Sequence, residues 1–346
     1  MTHDDSRPAA QIAALAALAG APAGLSPQEL IDILDRAGLA PDDALEACEA
    51  MLTNGELIAR GGTFELSSNG AHALLAIHAE IERALDPSPS TPGMEECPSI
   101  PWLTTVQTAW IDAVSINYAV DVDALRPLIP EPLEPEIFHG TAWVQVLMSR
   151  LRDMRPQGTL PMFGVNFHQV SYRAAVRYRT AQGWRRGRYF VRSETDNGVM
   201  RAVGNTLVEF KFHDFGLARM LQKRDGHRLS IDVKPAPEFP FGDLQATFDT
   251  RPIAPPRGSV WGSLDELREP LVECYDAFGV DAKHRFVYVL TIDRQPWKAQ
   301  FVKPESLRCD FHERGPLGNG ASRLDSVLHI PTECAYRWRP LRRERW

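Results

Sequence analysis

The stretch LVEFKFHDF, Leu207 to Phe215, sets a carboxylate, an amine and an imidazole at alternate positions. As a strand, it sends Val208, Phe210 and Phe212 to one face and Glu209, Lys211 and His213 to the other. A lysine in an enclosed cavity of low dielectric loses its charged form and becomes a nucleophilic amine near neutral pH. With a keto acid such an amine gives an iminium, which draws electrons from the adjacent carbon and favours decarboxylation, aldol chemistry or dehydration. Glu209 or His213 would then move the proton, a role worth ~10²–10⁴ in rate. The same row turned to water is a solvated, ion-paired surface. Strand parity separates the two readings.

An arginine facing that cavity would hold a carboxylate by two parallel hydrogen bonds. Arg173, Arg177 and Arg179 share one parity in YRAAVRYR, and Arg201 stands in the helical pattern before the lysine strand. The competing role for Arg173 is a structural pair with Glu194 or another acid. Asn117 and Tyr118 mark a strand end, and their alternative place is in the cavity lining. His168 in NFHQV and His312 in DFHERG raise the question of metal. There is no His pair at i, i+4 and no H-E-x-x-H, so neither metal nor other cofactor is expected. G-x-S-x-G and G-x-G-x-x-G patterns are absent, and GPLGNGAS (315–322) reads as a flexible loop over the cavity mouth.

The elements that must position these groups come from a chain of 346 residues, long enough for about two domains. Hydrophobic residues make up 44% and charged ones 24%, the profile of a soluble globular protein. The start, MTHDDSRPAA, is acidic where a secretory signal is basic. The run IAALAALAGAPAGL is too short, and too broken by Pro22, to span a bilayer. Five cysteines, Cys48, Cys97, Cys274, Cys309 and Cys334, form no C-x-x-C pair. Reduced thiols in a cytoplasm are the expectation.

Helical patterns open the chain: AAQIAALAALAG, SPQELIDILDRAG with Ser26 as N-cap, and PDDALEACEAMLTNG stopped by Gly55. ELIARGGTFELSSNG then reads as two strands around Gly61-Gly62, and AHALLAIHAEIERAL as a last helix. Residues 8–85 therefore resemble a winged helix-turn-helix. Five prolines in 86–101 predict an extended linker. From 102 to 346 strand patterns dominate, with brief helices at DVDALRPLI, DNGVMRAVGN and SLDELREPLVECYDAF. The fold class expected is α+β: a winged helix followed by a mixed, mostly antiparallel sheet closing toward a barrel.

The stretch NYAVDVDALRPLIPEPLEPEIFHGTAWVQVLMSRLRDMRP, Asn117 to Pro156, with FHQVSYRAAVRY and MRAVGNTLVEFKFHDFGLARM after it, resembles the YqjF-like family of uncharacterised bacterial proteins. That family is a branch of the acetoacetate-decarboxylase-like superfamily, and the match is good over about 102–220. The resemblance implies a cone-like β-barrel with a small-molecule cavity. It also implies Arg173 at the family's arginine position, and in the best-known members a Schiff-base lysine. Decarboxylases place that lysine just after a Gly-x-Pro run. Aligning Gly204 and Phe210 with this motif sets Lys211 on the proline and Phe212 on the lysine, an offset that inverts the face unless a bulge restores it.

Charge bears on the first domain. Residues 1–85 hold four arginines and thirteen acids, a net of −9, whereas the final twelve residues hold five arginines and one glutamate. The recognition-helix position, DDALEACEAML, has four acids and no base, which opposes DNA binding. An acidic adaptor is expected instead, forming a dimer by packing on the Arg-rich tail of its own or a partner subunit. The function expected is an enzyme of lyase type acting on a small carboxylated molecule. The alternative is a non-catalytic small-molecule-binding regulator whose winged domain contacts protein or DNA.

Overall fold

A serine followed three residues later by glutamate fixes the helical turn at residues 28–30. The Glu29 N–H donates to Ser26 Oγ at 3.2 Å, and the Glu29 carboxylate accepts from the Ser26 N–H at 2.8 Å. In this computed structural model the described residues are 25–26, 28–30, 48–60, 63–67, 94–96, 105–156, 164–198, 200–201, 215–339 and 341–346. A second helical segment, 48–53, buries Cys48 and Met51 and ends at Gly55, whose φ of +70° suits a residue without Cβ. Strands β1 (Leu57–Arg60) and β2 (Thr63–Leu66) pair antiparallel, as the Gly61-Gly62 signal predicts. The rest of the winged-helix expectation, at 9–20, 31–47 and 71–85, lies outside the described residues.

The other strands form one sheet of sixteen. From the linker comes β3 (Met94–Glu96), then β4 (Val106–Val120), β5 (Glu134–Pro135), β6 (Ala142–Pro156), β7 (Val165–Thr180) and β8 (Gly183–Thr195). Next are β9 (Phe215–Asp225), β10 (Arg228–Pro235), β11 (Leu244–Asp249), β12 (Asp276–Asp281) and β13 (Phe286–Arg294). The last are β14 (Gln300–Phe301), β15 (Lys303–Cys309), β16 (Ser322–Ile330), β17 (Cys334–Trp338) and β18 (Arg342–Arg345). Among the described residues no helix is long and apolar enough to cross a membrane.

Pairing runs β4–β6–β7–β8–β12–β13–β17 and then back from β17 to β4. Only the β8–β12 step of this circuit is parallel. A limb β9–β10–β11–β15 leaves the circuit from β8, and β16 with β14 lies on β4. The linker strand β3 joins the arginine strand β18, with Glu96 and Glu95 opposite Arg342 and Arg343.

Strands β4, β6 and β7 are buried on both faces, which explains their near-continuous apolar sequence. One face carries Val114, Ile116, Val144, Val146, Val170, Tyr172 and Ala174 into a core shared with the β9–β11 limb. The opposite face carries Ala113, Trp143, Leu147, Leu151, Phe167 and Ala175 into a second core with Tyr288, Leu290, Tyr336 and Trp338. At Gly187 an added Cβ would collide with the buried Phe278 ring, so only glycine allows β8 to pass β12 this closely.

The helix expected over SLDELREPLVECYDAF is much shorter. Ser263 caps Leu264–Leu267, a wider π-type turn covers Arg268–Val272, and β12 begins at Asp276. Pro270 lacks the N–H that an α-helix needs there.

Candidate functional site

The second core contains a row of polar groups that its apolar neighbours seal from water. Ser115 and Asn117 on β4, Gln145 on β6, Arg188 on β8 and Ser326 on β16 are all almost fully buried. Gln145 Nε2 donates to Ser115 Oγ and Asn117 Oδ1, both at 3.0 Å, and Asn117 Nδ2 donates to Ser326 Oγ at 3.2 Å. Arg188 Nε donates to Gln145 Oε1 at 3.2 Å, while its terminal nitrogens donate to the carbonyls of Gly187 and Pro270 at 3.2 and 2.5 Å. This network is satisfied, and its members brace four strands.

Beside it lies a small cavity of about 20 Å³, room for a small polar group and no more. All seven strands of the circuit line it: Trp110 from β4, Leu147 and Ser149 from β6, Gln169, Ser171 and Arg173 from β7, and Phe190 from β8. Ala277 from β12, Leu290 and Ile292 from β13, and Tyr336 and Trp338 from β17 complete it. Arg173 is only 6% exposed, and its Nε makes no hydrogen bond. No carboxylate among the described residues pairs with it. Burial, reinforced by the nearby Arg188 charge, pushes its guanidinium down to about 9. The Trp297 ring lies 5.8 Å from the Arg173 Cζ. Two further donors, Trp110 Nε1 and Trp297 Nε1, are also buried without acceptors, and the two indoles lie 5.1 Å apart. Two of these unused N–H donors, Arg173 Nε and Trp110 Nε1, belong to residues that line one cavity, which describes a place for an acceptor-rich group.

Two bulges create this lining. Pairing of β4 with β6 slips between Ile111 and Val114, around Asp112 with its φ of +54°. The slip turns the even-numbered Trp110 to the face that Ala113 and Ser115 occupy. His329 Nε2 at 2.6 Å from Asp112 Oδ1, and the Arg224 guanidinium, hold Asp112 in place. In β8 the slip opposite Tyr172/Arg173 puts Phe190 into the cavity and lets Ser193 bond Gln169 at 2.9 Å.

The residues expected from sequence divide accordingly. Arg173 lines the cavity and Asn117 belongs to the adjoining network. Tyr118 points to the other core and stacks on His312, with ring centroids 3.7 Å apart. That histidine is buried and pushed down to about 3 by the burial, its Nε2 unbonded. Half-buried His168 pairs with Asp196 at 2.7 Å. Arg201 lies in the helical segment after Asn197, with its N–H on the Asn197 carbonyl at 3.0 Å. Arg177 and Arg179 stack on the exposed Trp184 at the far end of β7. Lys211, Glu209 and His213 lie outside the described residues.

Glu194 is not the partner of Arg173. It faces the first core opposite Val170 and pairs with Arg192, which also clasps the carbonyls of Phe239 and Pro240. Fully buried, with Oε2 unbonded, its carboxyl is raised to about 7 by burial, against the pull of Arg192. The folded state thus keeps a proton that the unfolded chain releases near pH ~4.3. Stability from this group is full below that value and is lost as pH rises through about 7. Unfolding measured from pH 4.5 to 7.5 should show a decline, at most about 1.4 kcal/mol per unit, that Glu194→Gln flattens. Parallel profiles for the two proteins would assign the decline elsewhere.

Sequence reasoning missed Gln169, Ser171, Arg188, Trp297 and the aromatic wall. One signal was present: Gln169, Ser171 and Arg173 alternate with Val170, Tyr172 and Ala174, a polar row on an otherwise core-like strand.

Known proteins resemble this chain at several levels. An uncharacterized protein, YqjF, of Bacillus subtilis (strain 168) is 24% identical over 203 residues, which is 58% of this chain and 77% of that one. Among solved structures, the acetoacetate decarboxylase of Legionella pneumophila is 16% identical with a TM-score of 0.47, covering 76% of this chain and 94% of its own. An acetoacetate decarboxylase-like enzyme from Sphingomonas wittichii RW1 is 11% identical with a TM-score of 0.45, covering 69% and 92%. The family profile of DUF2071, an uncharacterized conserved protein, matches residues 107–330, and the chain belongs to that family.

Proposed function

We propose that this chain is an enzyme acting on a small carboxylated molecule, with the carboxylate held by Arg173 at the centre of a barrel formed by the strand circuit. The observation that carries this reading is the isolated cation. A buried charge is costly unless paired, and among the described residues Arg173 has neither carboxylate nor carbonyl to offset that cost. A carboxylate brings two acceptor oxygens to the unused donors of Arg173 and Trp110, both of which line the cavity. The cavity of about 20 Å³ takes the charged end of the ligand, not its body.

Lyase chemistry is the subtype that the sequence favours. The described lining offers no amine, carboxylate, imidazole or thiol, so the nucleophile in this reading is Lys211. Its amine adds to a keto carbon and water leaves, giving an iminium. Cleavage of the adjacent carbon–carboxylate bond releases carbon dioxide and sends the electron pair into the iminium as an enamine. Protonation and hydrolysis then return the free amine. Glu209 or His213 moves the protons.

Borohydride treatment of the full chain with pyruvate or acetoacetate, followed by peptide mass mapping, tests this. Expected is a reduced adduct on Lys211, lost when Arg173 is replaced by glutamine. Binding that depends on Arg173 without any adduct would remove the lyase step and leave a ligand-binding protein. Binding indifferent to Arg173 would remove the whole reading.

A further inference from the structure

Arg173 is not the only cation at Trp297. The Arg294 Cζ lies 4.1 Å from the same ring and 4.8 Å from the ring of Tyr275. Arg294 opens into a surface cleft of about 640 Å³, which shares the lining residue Ile292 with the inner cavity. Arg339 and Arg342 form the rest of its charged wall.

The partners of these arginines leave the cleft positive. Arg294 donates to the carbonyls of Val272 and Gln295, which bond it without neutralising it. Arg342 donates to Thr291 Oγ1 at 2.8 Å, a neutral acceptor as well. Arg339 pairs with Asp293 at 3.1 Å, and that aspartate is the one carboxylate among the described lining residues. The neighbouring cleft of about 280 Å³ behaves differently. It also has two arginines, Arg186 and Arg188, but four carboxylates stand among them, and two of these, Glu136 and Glu269, pair with Arg186. Anions are therefore drawn to the first cleft and not to the second.

We infer that the cleft walled by Arg294, Arg339 and Arg342 is a second anion subsite, and that the ligand whose carboxylate reaches Arg173 carries another anionic group that rests there. The ligand class is a dianion: a dicarboxylate, or a carboxylate with a phosphoryl group at its other end. Stacking holds Arg294 between Tyr275 and Trp297, so its charge is in place before the ligand arrives. Arg339 and Arg342 lie nearer solvent and present free donors to the outer group. This inference rests on the carboxylate role given to Arg173 above.

Calorimetric titration with matched pairs tests it: propionate against succinate, butyrate against glutarate, and 3-phosphonopropionate beside succinate. The proteins are the full chain, R173Q and the double variant R339Q/R342Q. Expected is a diacid binding at least about tenfold more tightly than its monoacid. The double variant should lose that excess and keep the monoacid affinity of the parent. Whichever of succinate and 3-phosphonopropionate binds better then identifies the outer group. Equal affinities for monoacid and diacid, with both lost in R173Q, would overturn the second subsite and leave the first. A diacid excess that survives R339Q/R342Q would also overturn it. Monoacid binding unchanged in R173Q, or no binding of any acid, would overturn both.

Discussion

Replacing Arg173 with methionine should raise the stability of the ligand-free protein by about 1–4 kcal/mol, the range seen when buried ionic groups give way to apolar ones. The folded chain carries this guanidinium at 6% exposure with an unbonded Nε and no carboxylate paired to it among the described residues. Methionine keeps a flexible side chain against Trp297, Leu290 and Phe190 and removes the desolvated charge. The same change should abolish stabilisation by small carboxylates. In the parent, a ligand at a hundred times its Kd adds about 2.7 kcal/mol. Urea unfolding of both proteins, with and without succinate, reads the two effects together. A variant that is weaker than the parent and responds equally to succinate would mean that Arg173 is a structural cation.

The second prediction has the opposite sign on the same interior face. Arg188→Met should cost about 2–5 kcal/mol, because buried acceptors left unmade cost about 1–3 kcal/mol each. Arg188 is as buried as Arg173, at 4% exposure, yet it donates to Gln145, Gly187 and Pro270. Removing it also frees Gln145, whose amide orients Ser115 and Asn117 on the neighbouring strand β4. Urea unfolding again gives the measurement, and succinate should still stabilise the variant. If both arginine variants shifted stability in one direction, satisfied donors would not be what separates these two cations.

The long strands of the circuit were plain in the sequence. VQTAWIDAVSINYAV predicts a strand and coincides with β4, Val106–Val120. β6 and β7 extend only a few residues past TAWVQVLMSRL and NFHQVSYRAAVRYR. Burial on both faces forces apolar residues at nearly every position, and that density is easy to see. The limb strands were missed. FGLARMLQKRD and RLSIDVKP alternate buried with half-exposed or charged positions, which dilutes the pattern. Even so, the Asp225-Gly226 turn between them, with its glycine at φ +55°, is a hairpin signal in the sequence.

Of the candidate site, the sequence by itself determined which side chains share a strand face: Gln169, Ser171 and Arg173 on one side of β7, Val170 and Tyr172 on the other. A period of two makes that a local property. Only the tertiary structure decided which face closes around a cavity, since closure depends on β17 returning to β4 and on pairings far apart in the chain. It also decided that Trp110 and Phe190 join the lining, through bulges whose one-residue slips reverse the parity read from sequence. Finally, it separated Arg173 from Arg188. Two arginines fifteen positions apart look alike on paper, and what distinguishes them is the acceptors that other strands bring to one and withhold from the other.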